Sequence, residues 1–589
     1  MEKVPVLIVG GGGAGLTASM LLSGLGVEHL LVSSQPHTSK LPKAHVLNQR
    51  ALEILDDCGA YEEIRRRSTP PEQMAYTAWY SGLGGDAADD GRVLARQECW
   101  GTGGENESWR GASAFRQLNL PQIRLEPVLK ARAEELAPQS VRFGHELTAI
   151  EQDADGVTAT VVDRESGEEY EVRADYLVAA DGGRTVPGLV GIGYEGFDQI
   201  AVSCTLHVSA DLSGLATDDD VLLRWIAAPR NGANIVLVPM GPDNWGPRSE
   251  EWVMHMIFLP DDPRMPEEEG VEQLVRESLG IEDLPMEVHR QTRWEVGAVL
   301  AERFREGRVF LVGDSAHRHP PTGGLGLTSA IHDVHNLCWK LAAVLEEQAG
   351  PELLESYEPE RRPVDARNVQ RSMENALNQL LIFNATGMSP DQDEAANRAA
   401  LERLWSGKEE DAEFRSAFLA AVRAQSQEFD EHNVEYGYAY ESAAVVPDGS
   451  PEPVNPDDMR IYLPSTRPGS PLPHAWIDDE EGTRRPIKDL LEPGRFLLIA
   501  GEDGQGWVDA AGELAGSGHP VDAVRIGHVE GDLFDPRSMW ARNRGISREG
   551  AVLVRPDRFV CWRSEGGSDD AASDLRGALD AVLASGPVG

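Results

Sequence analysis

A short apolar strand followed by a glycine-rich turn opens the chain and constrains its fold more than any other stretch. Val4–Val9 is rich in β-branched residues, and Gly10, Gly12 and Gly15 follow in GxGxxG spacing before an Ala/Leu-rich segment. A second apolar run, His29–Ser33, completes a βαβ unit of about 30 residues. In such a unit the first glycine permits a tight turn, the second admits a pyrophosphate and the third lets helix and strand pack closely. The pattern predicts an α/β dinucleotide-binding fold, with the pyrophosphate at the amino end of the helix.

The end of the second strand departs from this pattern. An Asp or Glu usually stands there and holds the ribose hydroxyls, whereas this chain has Ser33 and Ser34. A serine can still hydrogen-bond a ribose, so Ser33 remains a candidate contact. That contact is expected to be weaker because no charge assists it.

Charge and cysteine content narrow the possible partners. The chain has 54 Lys and Arg against 98 Asp and Glu, a net charge of −44, which disfavours nucleic acid and anionic membrane surfaces. The cysteines show no CxxC spacing and no cluster with histidine, so they predict no metal site and fit a reducing cytoplasm. Apart from the amino-terminal strand–turn–helix, no uncharged run reaches the roughly 20 residues of a membrane span. We therefore expect a soluble, cytoplasmic protein.

Two later segments share the glycine-rich character of the first. Ala180-Asp181-Gly182 ends a predicted strand, and the predicted buried strand 308–312 ends in Gly313-Asp314. The second segment continues to Leu327 through Pro-Pro-Thr-Gly-Gly-Leu-Gly, ahead of a helix with apolar residues at helical spacing. Residues 195–300 alternate apolar and polar side chains in short runs, which predicts an inserted antiparallel sheet. Residues 81–114, rich in Gly, Asp and Ser, are predicted to be surface loops.

Together, these three segments resemble the single-component FAD-dependent aromatic hydroxylases of the p-hydroxybenzoate hydroxylase fold. The likeness is greatest to the phenol-hydroxylase branch, which includes 2,4-dichlorophenol 6-monooxygenase. It extends over almost the whole chain, including Lys43-Ala-His45, Asn48-Gln-Arg50 and Leu120-Pro-Gln122. The resemblance implies an α/β protein in which a Rossmann-like FAD-binding domain carries an inserted antiparallel-sheet substrate domain. The tail resembles that branch's thioredoxin-like C-terminal domain without its cysteines.

The implied domain division follows the composition. The FAD-binding domain comprises residues 1–190, with hairpin insertions, and residues 301–445, which add helices. The substrate-binding sheet occupies residues 191–300. Residues 446–472 contain many Pro and Gly and form a linker, and residues 473–589 form the C-terminal domain.

The resemblance also implies which residues bind FAD. The Gly-Asp motif that binds the ribityl chain places Asp314 there, and the loop after Pro320 passes the isoalloxazine ring. The helix predicted to begin near Leu327 points its positive end at the N1–C2 carbonyl edge of the flavin. The FAD-binding candidates are Gly10, Gly12, Gly15, Ser33, Lys43, Gln122, Asp181, Gly182, Asp314, Pro321, Gly324, Leu325, Gly326 and Leu327.

The reductant is expected to be NAD(P)H, with NADPH favoured. Asp181 and Gly182 resemble a motif that the family links to both FAD and the nicotinamide cofactor. The chain continues there as Thr185-Val-Pro-Gly188, where many members carry Ser…Val-Arg, so an arginine contact is in doubt. No second GxGxxG is found, and we expect the reductant to bind transiently.

His45 is the residue expected to act in catalysis. It aligns with the position of the active-site base in the phenol-hydroxylase branch, and a histidine of pKa about 6.5 can accept a proton at neutral pH. Asn119 stands where relatives often carry an acid; it can orient His45 but cannot stabilise an imidazolium by charge. His317 and His319 are expected to be loop scaffolding. Candidate substrate-lining residues are Trp225, Met254, Met256, Trp294 and Pro320.

The sequence therefore predicts an FAD-dependent monooxygenase that uses NAD(P)H and O2 through a flavin C4a-hydroperoxide. Its substrate would be a phenol or hydroxy-heteroaromatic compound, hydroxylated ortho to the ring oxygen. Simple phenols, polyketide aromatics and pyridinols remain open, and a homo-oligomer is expected. Two alternatives are a flavin-dependent halogenase, whose WxWxIP-type motif is not found, and a non-catalytic escort of lipidated proteins, which would not need the glycines at 323–326.

Overall fold

The structure is a computed structural model that describes residues 1–102 and 106–584. Residues 103–105 and the last five residues of the predicted C-terminal domain, 585–589, lie outside the described part. Within the described part, no helix combines the length and the apolar character needed to cross a membrane.

Most of the strands fall in three sheets. In chain order the described strands are β1 (Glu2–Val9), β2 (His29–Ser33), β3 (Val46–Leu47), β4 (Tyr76–Ser81), β5 (Arg92–Glu98), β6 (Leu118–Asn119), β7 (Val141–Phe143), β8 (His145–Gln152), β9 (Val157–Asp163), β10 (Glu169–Ala179), β11 (Tyr194–Ser209), β12 (Val221–Ala228), β13 (Ala233–Gly241), β14 (Glu251–Phe258), β15 (Glu287–Ala301), β16 (Arg305–Glu306), β17 (Val309–Leu311), β18 (His317–Arg318), β19 (Trp476–Asp478), β20 (Arg484–Pro486), β21 (Phe496–Ala500), β22 (Val521–Gly527), β23 (Leu533–Phe534), β24 (Ala551–Val554) and β25 (Val560–Ser564).

The helices connect and cover these sheets. The described α-helices are α1 (Gly13–Gly24), α2 (Gln49–Asp57), α3 (Tyr61–Arg67), α4 (Glu107–Ala112), α5 (Gln122–Leu136), α6 (Val186–Leu189), α7 (Val271–Leu279), α8 (Leu325–Leu345), α9 (Tyr357–Ala385), α10 (Glu394–Glu402), α11 (Ala412–Ala424), α12 (Ser426–Phe429), α13 (His432–Glu435), α14 (Gln505–Gly516), α15 (Met539–Asn543) and α16 (Ala571–Val582). Short 3-10 turns include Gly313–Ser315, between β17 and β18.

The first sheet is built around β1. Its strands run in the order β16-β17-β10-β1-β2-β7, with β8 and β9 joined through β10. The strands β17, β10, β1, β2 and β7 are parallel, so their carboxyl ends meet at one edge. The last four residues of β1 are buried, as expected for a strand covered by helices on both faces. The predicted βαβ unit is present as β1, α1 and β2.

The second sheet has the order β18-β15-β11-β14-β13-β12-β4-β5. Strands β11 to β15 come from the predicted substrate-binding region, but β4 and β5 come from residues before 191. The expectation of surface loops over residues 81–114 was therefore wrong in two places, β5 and α4. Composition did not indicate β5 because its residues are exposed or half-buried. Its pairing with β4 depends on tertiary structure.

The third sheet belongs to the C-terminal region, with the order β20-β19-β23-β22-β21-β24-β25. Buried charges tie it to the FAD-binding region: Arg555 donates to both oxygens of Glu360 on α9, at 2.6 and 2.9 Å. Lys340 on α8 donates to the same carboxylate at 2.7 Å. All three side chains are fully buried, so removing one would leave an uncompensated charge in the interior.

Candidate functional site

The three glycine-rich segments meet at the carboxyl edge of the first sheet. Gly10 has φ +121°, and a Cβ there would lie 2.1 Å from the Ala180 carbonyl oxygen. A Cβ on Gly15 would lie 1.9 Å from the Gly10 carbonyl oxygen. Both positions therefore require glycine, for the tight turn and for the contact between helix and strand.

The amino ends of α1 and α8 face the same region. Leu327 packs on the start of α1, because a Cβ on Gly13 would lie 2.5 Å from its Cδ1 atom. A Cβ on Gly313 would lie 2.9 Å from the Ala330 Cβ atom. Helix α8 begins at Leu325, two residues before the expected start, after Gly324 in the left-handed region at φ +70°. Neither helix is capped by the side chain of its N-cap residue, which is glycine in both cases. The Gly13 N–H at the start of α1 is hydrogen-bonded to the Glu126 carboxyl, and both helices direct the positive end of their dipole to one groove.

The backbone at Gly12, Gly182 and Gly326 borders open space in this groove. A Cβ on Gly326 would meet no atom within 4 Å, and one on Gly182 would reach only the Arg184 Nε atom at 4.0 Å. A Cβ on Gly12 would come no closer than 3.6 Å to the Glu126 Oε1 atom. Unlike Gly10 and Gly15, these three glycines have no backbone atom of another segment within 4 Å of a Cβ position. The residues present therefore fit a flat, anionic cofactor such as FAD.

The polar candidates around the groove differ in availability. Asp314 is exposed next to the Gly313 turn, Lys43 is exposed, and Ser33 is buried at the end of β2. Gln122 is half-buried and donates through Nε2 to Glu126 at 2.5 Å. Asp314 and Lys43 therefore have side chains free to face a ligand.

Asp181 is already satisfied within the protein. Its Oδ2 atom accepts the N–H groups of Thr185 and Val186 at 2.7 and 2.9 Å, and its Oδ1 atom accepts the Ser315 hydroxyl at 2.8 Å. The carboxylate therefore caps α6 and fixes the Gly313–Ser315 turn. Any contact from this motif to a cofactor would come from the backbone of Gly182, which is at φ +76°.

Glu126 is a residue that the sequence reasoning missed. It lies on α5, one turn after Gln122, and accepts the Ser39 N–H at 2.6 Å. Burial raises its pKa, while the hydrogen bonds from Gln122 and Ser39 act in the opposite direction. The Glu126 carboxyl is buried beside the open face of Gly12. No sequence motif includes Glu126, so the sequence alone did not indicate its position.

His45 and Asn119 are brought together by the pairing of β3 with β6. The His45 Nδ1 atom lies 2.6 Å from Asn119 Oδ1, and Asn119 Nδ2 donates to the Thr69 hydroxyl at 2.6 Å. With the Asn119 amide oxygen facing the ring, Nδ1 is the donor and carries the proton, and Nε2 has a lone pair available. Burial lowers the pKa of His45, which keeps the ring neutral at pH 7. Val46, next in the chain, contacts the Gly324 position, so the imidazole is close to the loop that precedes α8.

A second histidine, His255, lies near His45. Its Nδ1 atom is 2.9 Å from the Thr205 hydroxyl oxygen, which also accepts the Trp294 indole N–H at 3.2 Å. Burial, and to a smaller extent the neighbouring imidazole of His45, lower the pKa of His255 to about 4. The alternation along β14 could have indicated this residue, because His255 is the polar position between two methionines.

The alternation of side chains along β14 places two expected substrate contacts, Met254 and Met256, on the face of the sheet away from His45. Met254 and Met256 flank His255 and therefore point to the opposite face of the sheet, where they pack with residues of α7. They belong to the core and do not line the space near His45. Trp225 is on the His45 side, in a cluster with Trp79 and Val46, and its indole N–H donates to Thr77.

Of the last two substrate candidates, Trp294 lies on the same side of the sheet as His255, because both contact the Thr205 hydroxyl. Trp294 is half-buried and hydrogen-bonded to Thr205, and Pro320 is buried at the start of the loop that leads to α8. Trp225 and Trp294 therefore lie on the side of the sheet that faces the histidines, and Pro320 is a candidate only through its place in the loop before α8.

A buried charge cluster supports the Gly313 turn. Asp333 accepts the Gly313 N–H at 2.9 Å, lies 2.8 Å from the His317 Nε2 atom and accepts Arg361 Nε at 2.8 Å. Arg361 also donates to Asp365 at 3.0 Å. The carboxylates raise the pKa of His317 to about 9 in spite of its burial. His317, Asp333 and Asp365 have metal-ligand chemistry, but Arg361 supplies positive charge to both carboxylates, so the group is an ion-pair network.

Comparisons with known proteins agree with this geometry. The FAD binding domain family matches residues 3–372, and the C-terminal domain family of aromatic-ring hydroxylases matches residues 465–586. The 2,4-dichlorophenol 6-monooxygenase of Delftia acidovorans is 36% identical, over 99% of this chain and 98% of that protein.

Two solved structures share the fold. One is the flavin-dependent monooxygenase PieE in complex with FAD and substrate, with a TM-score of 0.92, 38% identity and 99% of each chain covered. The other is a ternary complex of aklavinone-11 hydroxylase with FAD and aklavinone, with a TM-score of 0.77, 30% identity and 99% of each chain covered.

The fold and the groove define a flavoprotein oxidoreductase. The chain belongs to the family of FAD-dependent aromatic-ring hydroxylases and is similar to its phenol-hydroxylase branch. It is an enzyme, an FAD-dependent monooxygenase that consumes NAD(P)H and O2, and the expectations of the fold class, the family and the cofactors are confirmed.

Proposed function

We propose that the enzyme hydroxylates a phenol with His45 as the base that accepts the phenolic proton. The observation that carries this proposal is the fixed His45–Asn119–Thr69 chain, in which the His45 Nε2 lone pair has no partner among the described residues. FAD supplies the oxygen-transfer chemistry when bound. The protein's part is to remove the proton, hold the ring near the loop after Pro320 and exclude water.

We propose the same assignment of FAD contacts that the sequence predicts, with one refinement, which concerns Asp181. Gly12, Gly182 and Gly326 provide open backbone, and the amino ends of α1 and α8 provide positive potential for the pyrophosphate and the flavin carbonyl edge. Asp314 and Lys43 provide exposed side chains. Asp181 acts through the turn that it holds and not through its own oxygens.

The basicity of His45 sets which phenols react well. A simple phenol has a pKa of about 10, and burial keeps the pKa of His45 below its usual value. Proton transfer from phenol to His45 is therefore uphill by more than about 3.5 pKa units, or about 5 kcal/mol. Phenols with electron-withdrawing substituents should be better substrates, and His255 is a second imidazole that could hydrogen-bond the substrate oxygen.

A panel of phenols tests this proposal directly. Substrate-stimulated NADPH oxidation, with a product heavier by one oxygen atom, is expected for some members of the panel. Replacing His45 by Ala should leave FAD bound but lower hydroxylation of phenol by about 10²–10⁴-fold, the usual contribution of a general base. More acidic phenols should lose less, and His528→Ala, in the C-terminal domain, should behave as wild type. Equal turnover of phenol by wild type and His45→Ala would exclude His45 as the base.

We also infer a cytoplasmic homo-oligomer. All five cysteines are free and buried, which suits a reducing compartment. Exposed leucines at Leu377, Leu380 and Leu381 on α9 and Leu419 on α11 could be covered by a second copy. Sedimentation analysis of the purified protein would measure the oligomeric state.

A further inference from the structure

Three buried glutamates lie in the segment 428–435, which packs behind the loop that leads into α8. We call residues 320–327 the flavin loop. Glu428, Glu431 and Glu435 are 3%, 0% and 5% exposed. Glu428 and Glu431 touch the flavin loop, whereas Glu435 accepts a hydrogen bond from Gln117. Two of the three glutamates therefore contact the backbone expected to lie against the flavin.

The contact with the flavin loop is made at Gly323. The Gly323 N–H donates to the Glu428 Oε1 atom at 3.3 Å. A Cβ on Gly323 would lie 2.5 Å from the Glu431 Oε1 atom and 3.0 Å from the Asn375 Nδ2 atom, and the residue has φ +89°. Glycine is therefore required at this position by the carboxyl groups behind the loop as well as by its backbone conformation.

The positive charge near these carboxyl groups is insufficient to balance them. Glu428 accepts a hydrogen bond from Gln379 Nε2 at 2.6 Å, but no Lys or Arg among the described residues pairs with it. Arg371 donates to Glu431 at 3.3 Å and to Glu374 at 2.6 Å. A buried carboxylate without an ion-pair partner is costly unless it takes up a proton.

We propose that Glu428 is a positioning residue for the flavin, holding the flavin loop through the Gly323 N–H and carrying a proton near neutral pH. This inference rests on the proposed role of the flavin loop in binding FAD. A protonated Glu428 still accepts the Gly323 N–H through one oxygen and leaves no full negative charge behind the cofactor. An ionised Glu428 would oppose the negative charge that reduction adds to the flavin.

The electrostatic surroundings of Glu428 agree with this proposal. Burial raises its pKa to about 7, while Gln379, the Gly323 N–H and the charge of Arg371 partly offset the effect. The other titratable groups that interact with it are Glu431 and the Cys99 thiol, whose pKa values are themselves raised. Since the pKa of Glu428 is near 7, the proton should leave as the pH rises from 6 to 8.5.

Two variants separate the hydrogen bond from the charge. Glu428→Ala removes the partner of Gly323 and should raise the dissociation constant of FAD about tenfold, the order expected for a lost hydrogen bond to a buried carboxyl. Glu428→Gln keeps an acceptor and should change that constant by no more than about twofold. Glu435→Gln is the matched control, because Glu435 is equally buried in the same segment but has no contact with the flavin loop.

Measurements on the holoprotein test the charge. The flavin midpoint potential of the wild type should fall more steeply through about pH 7 than that of Glu428→Gln, because only the wild type ionises there. The Glu435→Gln control should follow the wild type. Wild-type FAD affinity in Glu428→Ala, or a wild-type pH slope in Glu428→Gln, would overturn the proposal. A wild-type protein that does not bind FAD would instead overturn the proposed function.

Discussion

Replacing Asn119 by Asp would convert a neutral partner of His45 into a charged one. The Asn119 Oδ1 atom lies 2.6 Å from His45 Nδ1, and its Nδ2 atom lies 2.6 Å from the Thr69 hydroxyl oxygen. Aspartate has the same shape, and the Thr69 hydroxyl can donate to the second carboxylate oxygen by rotating its hydrogen. The substitution therefore adds a charge while keeping the geometry.

The size of the effect can be worked out from this geometry. Two opposite unit charges about 4 Å apart interact by about 4 kcal/mol at an effective dielectric constant of 20, which corresponds to about 3 pKa units for His45. Asn119 is fully buried, so part of this gain is lost in desolvating the new carboxylate. We expect the pKa of His45 to rise by about 1–2 units.

The pH dependence of hydroxylation measures this shift. Burial lowers the pKa of His45 from its usual value, so activity should be lost as the pH falls below about 6.5 and the base becomes protonated. In Asn119→Asp this acid limb should move upward by about 1–2 pH units, and turnover of weakly acidic phenols above pH 8 should increase because the base is stronger.

The control for this experiment is Thr69→Val, which removes the amide's second hydrogen bond without adding charge. It should lower turnover without moving the acid limb upward. If the acid limb of Asn119→Asp stays in place while the variant remains folded and binds FAD, then residue 119 does not determine the pKa of the catalytic base.

Two further variants test the cofactor groove and the second histidine. Gly326→Val should fold normally, because a Cβ there meets no atom within 4 Å, but should lose FAD; Gly516→Val, at an equally open position on α14, should retain it. FAD fluorescence and thermal unfolding measure both properties, and FAD binding by Gly326→Val would contradict the assigned groove. His255→Phe should leave the FAD dissociation constant unchanged but raise KM for phenol, because the ring remains and its hydrogen bonds are lost. Unchanged KM and kcat would remove His255 from the substrate site.

The amino-terminal βαβ unit was determined by local sequence. Gly10 and Gly15 are confined by backbone atoms only 2.1 and 1.9 Å from a Cβ, so no other residue type serves there, and the requirement is visible in the spacing. The strand that ends in Gly313-Asp314 was equally readable because a buried parallel strand is a continuous apolar run. His45 and Asn119 could be paired only through the resemblance to a known family.

Tertiary structure alone decided which side chains surround His45. Met254 and His255 are neighbours in sequence but lie on opposite faces of β14, and a methionine is suited to either a core or a pocket. Glu428 comes more than 100 positions after Gly323, and nothing in either local sequence indicates their contact. Short-range spacing specifies turns and strands because their geometry is local, whereas the lining of a pocket depends on sheet pairing between distant segments, which sequence spacing does not record.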